Sequence, residues 1–169
     1  NIPRFEVIRD TREQRGWTFP VKGRCLGTVV ETMKEGDYTL KGWEDRLCIE
    51  RKGSVAEFAR NITQKRFENE LERMDKYEFP FMLLEFDMSH VWEYPDGAGL
   101  PNRVKRLIKF KGPYIMKRLM EFETRYKTKI VMCGYHGVEV AKSIFNRMVE
   151  MNGSNSSIAR KAKKQSEQN

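Results

Sequence analysis

No apolar run in this 169-residue sequence approaches the roughly 20 residues needed to span a bilayer, so a helical membrane anchor is not expected. The amino end lacks the basic, apolar and small-residue pattern of a secretory signal, and it begins at Asn1 rather than Met, as in a trimmed chain. Cysteine is scarce: Cys25, Cys48 and Cys133 are odd in number and share no CxxC or Cys/His spacing, which excludes a zinc ribbon or a paired disulfide framework. Cys48 and Cys133 fall inside apolar, strand-like runs, where a buried thiol is expected. The reading is a reduced, intracellular protein, of the cytoplasm or nucleoid in a prokaryote or virus and of the nucleus in a eukaryote. His90 and His136 are the only histidines, and neither has neighbours for a Ser-His-Asp or zinc site. Gly134-Tyr-His-Gly137 lacks the Lys and Ser/Thr of a phosphate loop, so nucleotide hydrolysis is a poor reading. No internal repeat is visible.

The sequence does have a core and a charge. With 39% hydrophobic and 33% charged residues it reads as one globular domain. Its 32 basic against 24 acidic residues leave +8, which favours polyanionic partners, nucleic acid ahead of an anionic membrane.

Strand-like and helix-like segments alternate along the chain. Phe5-Glu-Val-Ile-Arg9 is a short β run ending on the polar cluster Asp10-Thr-Arg-Glu-Gln14, and open α/β sheets carry their chemistry at such carboxyl ends. Asp10 reads as a metal ligand or outer acid and Arg12 as a phosphate contact or a partner for the acids, against the plainer alternative of an ion-paired turn. Residues 16–27, with three Gly and a Pro, read as a connection, and Thr28-Val-Val-Glu-Thr32 as a strand. Ser54-Val-Ala-Glu57 is a capping box opening a helix whose apolar phase breaks between Ile62 and Phe67, predicting two helices meeting near Thr63-Gln64. Lys65 and Arg66 at that break are candidates for DNA phosphate. Phe81-Met-Leu-Leu-Glu-Phe86 reads as a buried strand, with Glu85 and Asp87 structural, and residues 94–101 as a loop. Residues 103–110 are basic and amphipathic, Pro113 opens a helix, residues 129–133 are the last strand, and the segment from Val138 is the closing helix. Residues 152–169 are polar and read as a disordered basic tail. The pattern predicts an α/β fold with a mixed sheet between helices.

Residues 36–52, GDYTLKGWEDRLCIERK, carry the most informative spacing. Paired as a hairpin centred between Trp43 and Glu44, they put Asp37 opposite Glu50. Directly opposed residues have Cβ atoms roughly 4.5–5.5 Å apart, and like charges there repel unless a cation lies between them. The two-residue period puts Lys52 on the face of Glu50 and turns Arg51 away. Two carboxylates and an amine on one surface suit metal-assisted phosphodiester cleavage.

These residues together resemble the nuclease domain of XPF-type (XPF/Hef) structure-specific endonucleases, in the shorter stand-alone form of prokaryotes and viruses. The resemblance runs through Asp10-x-Arg12-Glu13, Gly36-Asp37-Tyr38 and Ile49-Glu50-Arg51-Lys52, and continues in Arg66-Phe67 and Leu84-Glu85-Phe86-Asp87, covering residues 5–151. It implies a restriction-endonuclease-like, PD-(D/E)xK fold over residues 1–151. It also implies Mg²⁺ or Mn²⁺ held by Asp37, Glu50 and the Arg51 main-chain carbonyl. Asp10 and Glu13 would be further active-site acids. Arg12 would hold the acids or the phosphate, and Lys52 would face the attacking water. The implied activity is DNA cleavage at branches or single-strand/double-strand junctions.

Two departures qualify the match. The family places an Asp four residues after the Lys, whereas here Gly53 lengthens the spacing and the acid is Glu57, which capping explains. The tandem helix-hairpin-helix unit of many members has no counterpart after Met151, which leaves junction choice to the nuclease domain, a partner, a dimer mate or residues beyond this sequence. A homodimer or heterodimer through residues 113–126 or 138–151 is the associated expectation. The rival readings are a catalytically silent DNA-binding scaffold and a nuclease of the same superfamily that takes duplex ends or a specific sequence.

Overall fold

The computed structural model of the protein describes residues 3–152. The tail expected from residue 152 lies, from 153 onward, outside the described residues. Six strands form one mixed sheet in the order β2-β1-β3-β4-β5-β6. They are β1 (Phe5–Asp10), β2 (Cys25–Glu31), β3 (Tyr38–Leu40), β4 (Leu47–Lys52), β5 (Phe79–Leu84) and β6 (Lys129–Met132). The helices are α1 (Val55–Asn61), α2 (Lys65–Met74), α3 (Met88–Glu93), α4 (Asn102–Lys105), α5 (Gly112–Arg125) and α6 (Gly137–Asn152). β4, β5 and β6 run parallel, and β3 is antiparallel to both β1 and β4. The expected mixed sheet between helices is the observed one.

Two apolar clusters, one on each face of the sheet, hold the layers together. On one face Phe58, Ile62, Phe67, Leu71, Ile115, Leu119 and Phe122 of the helices pack with Cys48, Met82 and Leu84. On the other, Ala141, Phe145 and Met148 of α6 pack with Trp17, Phe19, Tyr38, Leu47, Ile49 and Leu83. The period of two therefore divides β4 cleanly. Cys48 faces the first cluster and Leu47 and Ile49 the second, so Glu50 and Lys52 continue the first face and Arg51 the other.

Local signals explain most of the boundaries. Ser54 accepts a hydrogen bond from the Glu57 N–H (3.1 Å), and Glu57 accepts in return from the Gly53 N–H (2.9 Å), so capping does account for Glu57. The break in apolar phase is the junction of α1 and α2. Pro113 stands in the first turn of α5, where its missing N–H costs nothing.

Three details differ from the sequence reading. β2 begins three residues early, because Gly27, at φ 111°, lets the strand bulge while still pairing with β1. β5 spans Phe79–Leu84 rather than residues 81–86, since its pairing with β4 starts at Phe79 opposite Leu47. Helix α3, which has no counterpart in the sequence reading, holds His90: Asp87 caps this helix by accepting from the His90 N–H, and His90 Nδ1 accepts from the Asp87 N–H (3.1 Å). The basic segment 103–110 contains only the four-residue α4.

Candidate active site

The centre of the site is the β3–β4 hairpin. Tyr38 pairs with Ile49, the register that places Asp37 opposite Glu50. The Asp37 N–H donates to the Ile49 carbonyl (2.8 Å), and Asp37 Oδ2 accepts from the Arg51 N–H (2.8 Å). Gly36 makes this approach possible. It has φ 78°, and a Cβ there would lie 2.6 Å from Cys48 Sγ and 3.0 Å from the Ile49 carbonyl oxygen.

Electrostatics at the centre are those of crowded carboxylates. Burial, reinforced by the negative field of Glu13, pushes the Asp37 carboxyl up to about 6 despite the Arg51 N–H and Lys52. Glu50 is also raised well above its ordinary range, first by burial and then by Asp37 and Glu70. Lys52 is buried as well, which alone would lower its pKa. The facing Glu50 (Nζ to Oε1 3.3 Å) and Glu70 (3.8 Å) outweigh burial and raise it, so Lys52 is a firmly held cation. Its ammonium lies 5.5 Å from the centre of the Phe67 ring. One lysine faces three acids, Asp37, Glu50 and Glu70.

Arg51 occupies the opposite face of β4. It is ion-paired with Glu85, sits 3.5 Å from Glu13, donates to the Arg15 carbonyl (2.9 Å) and stacks its guanidinium 5.2 Å from the Trp17 ring centre. Burial opposes the rise in its pKa and Glu85 more than offsets it. This anchor clamps β4 to the turn after β1, so the Glu13 carboxylate stands near Asp37.

Asp10 is nearly fully buried, and its oxygens are committed. Oδ2 accepts from the Arg12 N–H (3.2 Å) and Nε (2.7 Å), and Oδ1 from the Met33 N–H (2.8 Å). Burial would raise its pKa, but these donors hold it below the usual carboxylate value. Arg12 also donates to the Met33 carbonyl (2.9 Å) and remains 68% exposed, so the guanidinium is aimed but open to solvent. The field of Asp37 reaches it. The geometry thus gives Asp10 the work of fixing Arg12 and the β2–β3 connection.

Two clefts border the centre. One, of about 490 Å³, is lined by Arg12, Glu13, Arg15, Arg51 and Glu57. The other, of about 240 Å³, is lined by Lys52, Asn61, Arg66, Glu70 and Arg73. Arg66 lines this second cleft, whereas Lys65 points to solvent and pairs with Glu68 (3.3 Å). The structure separates these two cations. Glu70, brought in by α2, had no sequence signal beyond its place on a helix.

The donor set suits a hard divalent cation. Two half-buried carboxylates opposed at hairpin distance, with elevated pKa values, gain most from an ion that takes oxygen ligands. Among the described residues no three His, Cys, Asp or Glu side chains are arranged to hold a metal by themselves. Coordination here would therefore combine Asp37 and Glu50 with main-chain or water oxygens.

Comparisons with known proteins agree with this architecture. XPF from Aeropyrum pernix aligns with a TM-score of 0.60 at 18% identity, covering 89% of this chain and 64% of that one. The same organism's XPF in complex with DNA aligns at 0.57 and 19% identity, covering 86% and 64%. This chain therefore corresponds to about 64% of the length of those structures, and the likeness establishes the shared fold. No curated protein matches significantly. The ERCC4 domain model matches residues 9–136, which contain every motif of the hairpin and the first strand's end, and the chain is a member of the ERCC4 domain family.

Proposed function

We propose that the protein is a divalent-metal-dependent DNA endonuclease acting on branched or junction-containing DNA. The observation that carries the reading is the opposed, half-buried pair Asp37 and Glu50 with the Lys52 ammonium 3.3 Å from Glu50. Asp37, Glu50 and the Arg51 carbonyl would hold Mg²⁺ or Mn²⁺, which supplies charge to polarise a phosphoryl oxygen and lowers the pKa of water. The chain's own groups do the remainder. Lys52, kept protonated by Glu50 and Glu70, places positive charge where the pentavalent phosphate develops negative charge. Arg12, held by Asp10, receives a neighbouring phosphate, and Glu13 and Arg51 keep the β1 turn against the hairpin. Arg66 extends the cationic path along the second cleft. The excess of basic residues supports backbone affinity that falls steeply with salt. The DNA complex of the A. pernix protein supports DNA as the substrate class. A dimer, if formed, would use the outward faces of α5 or α6, and sedimentation tests it.

The deciding experiment incubates end-labelled flap, splayed-arm, Holliday and plain duplex DNA with Mg²⁺ or Mn²⁺, beside Asp37→Asn and Lys52→Ala. Cleavage by the wild type confined to branched substrates, lost in both variants while DNA binding persists, is the expected result. Equal cutting by both variants refutes the site, and binding without cutting under every condition supports the silent-scaffold alternative.

A further inference from the structure

A second surface is built around Trp92. α3 carries Met88 and Trp92 four residues apart and so on one side of the helix, and both are solvent-exposed, Trp92 to 62%. Of the indoles among the described residues Trp92 is the exposed one, since Trp17 is buried and Trp43 half-buried. Close chain approach fixes what stands beside it. Gly112 packs so tightly on α3 that a Cβ there would lie 2.3 Å from the Val91 carbonyl oxygen and 2.6 Å from that of Trp92. The Gly112 N–H also donates to the Tyr94 carbonyl (3.1 Å). Lys111 and Pro113 are thereby locked against α3.

A cleft of about 520 Å³ results, lined by Trp92, Pro95, Lys105, Arg106, Lys111 and Pro113 together with Glu93 and Asp96. Lys105 is matched by Asp96 (3.2 Å). Arg106 and Lys111 form no ion pair among the described residues, nor do Arg103 and Lys109 on the same stretch, and all four are exposed. Residues 102–111 contain five cations and no acid.

We infer that this cleft receives an unpaired DNA strand, with one base stacked on Trp92 and the flanking phosphates on Arg106 and Lys111. A flat ring with an open face beside cations suits a base that also has a free face, which a duplex interior does not offer. Arg103 and Lys109 continue the path for the phosphates. The position fits a strand that also enters the active site. α3 starts at the end of β5 that lies beside Lys52, since Lys52 pairs with Leu84. Chain geometry limits the separation of the Lys52 and Trp92 Cα atoms to at most about 26 Å. The inference depends on the nuclease reading for the identity of the polyanion, and it assigns to this cleft the discrimination of single-stranded from paired DNA.

The test is equilibrium binding of fluorescently labelled oligo-dT and of a blunt duplex of equal length, in EDTA, with the wild type, Trp92→Ala and Arg106→Gln/Lys111→Gln. Trp92→Ala is expected to weaken oligo-dT binding at least about fivefold, the low end for losing one stacked base, and to leave duplex binding within twofold. The Arg106→Gln/Lys111→Gln protein is expected to lower the slope of log affinity against log salt by about 1.4 for the single strand. Intrinsic fluorescence gives an independent readout, because Trp17 is buried and Trp43 half-buried. Oligo-dT should quench the wild type and not Trp92→Phe, with melting temperatures unchanged. Unchanged oligo-dT affinity in Trp92→Ala, or altered sedimentation without altered affinity, overturns the assignment. Metal-dependent cleavage is scored separately with Asp37→Asn, so the cleft can fail while the nuclease reading stands, or the reverse.

Discussion

Asp37→Asn should stabilise the metal-free protein at neutral pH while abolishing its response to divalent cations. Asp37 is raised from 3.8 to about 6 by burial and by the negative field of Glu13, so ionising it in the folded state is costly. Each pKa unit corresponds to about 1.4 kcal/mol, which sets an upper bound near 3 kcal/mol. Partial solvent access and a proton shared with Glu50 reduce this to on the order of 1–2 kcal/mol. The amide oxygen of Asn can still accept from the Arg51 N–H, so the hairpin keeps its register. The folded protein binds the proton more tightly than the unfolded chain. Stability from this group is therefore present below about pH 4 and is lost as pH rises through about 6. Thermal melts in EDTA should place Asp37→Asn roughly 3–6 °C above the wild type at pH 7.5, with the gap closing at pH 4. Adding millimolar Mg²⁺ or Mn²⁺ should raise the wild-type melting temperature and leave the variant unmoved. A variant that melts below the wild type at pH 7.5, or that still responds to the cation, would falsify the view of Asp37 and Glu50 as a cation-seeking pair.

Three further outcomes follow from the same geometry. Glu70→Gln removes a charge that raises both Glu50 and Lys52, so half-maximal Mn²⁺ occupancy, followed by titration calorimetry, should shift to lower pH. Asp10→Ala leaves the buried Met33 N–H and the inner face of Arg12 without an acceptor, and should cost about 2–3 kcal/mol in urea unfolding; Asp10→Asn should recover part of it. Leu71→Ala, at a fully buried position between α2 and the sheet, should cost about 2–5 kcal/mol and lower the urea midpoint without changing metal-linked stabilisation at low temperature.

The hairpin was readable from residues 36–52 because every constraint on it is local. The turn composition, the alternation of Leu47, Cys48 and Ile49 between two cores, and the two-residue period together allow one register, and Tyr38 opposite Ile49 is that register. The break between α1 and α2 was legible for a similar reason, since a helix cannot keep one apolar stripe through the five-residue step from Ile62 to Phe67. Helix α3 was not legible. Six residues carry too little periodicity, and the reciprocal Asp87–His90 cap that defines it depends on a histidine nitrogen acting as acceptor. The family resemblance anticipated membership in the ERCC4 domain family, because its motifs are short, ordered and borne by strand ends.

Sequence by itself determined the composition of the centre: which acids oppose one another, which face Lys52 shares with Glu50, and that Arg51 turns away. Tertiary structure alone decided the surroundings. It set Glu70 of α2 against Lys52, engaged Arg51 with Glu85 and Glu13, committed Asp10 to the Met33 N–H, and locked Lys111 beside Trp92. The physical reason lies in the range of the interactions. Alternation along a strand and capping of a helix are fixed within a few residues. Glu70 is 18 residues from Lys52 and Glu85 is 34 from Arg51. Those pairs meet only because β5 adds in parallel beside β4 and α2 docks on the face that Glu50 and Lys52 share.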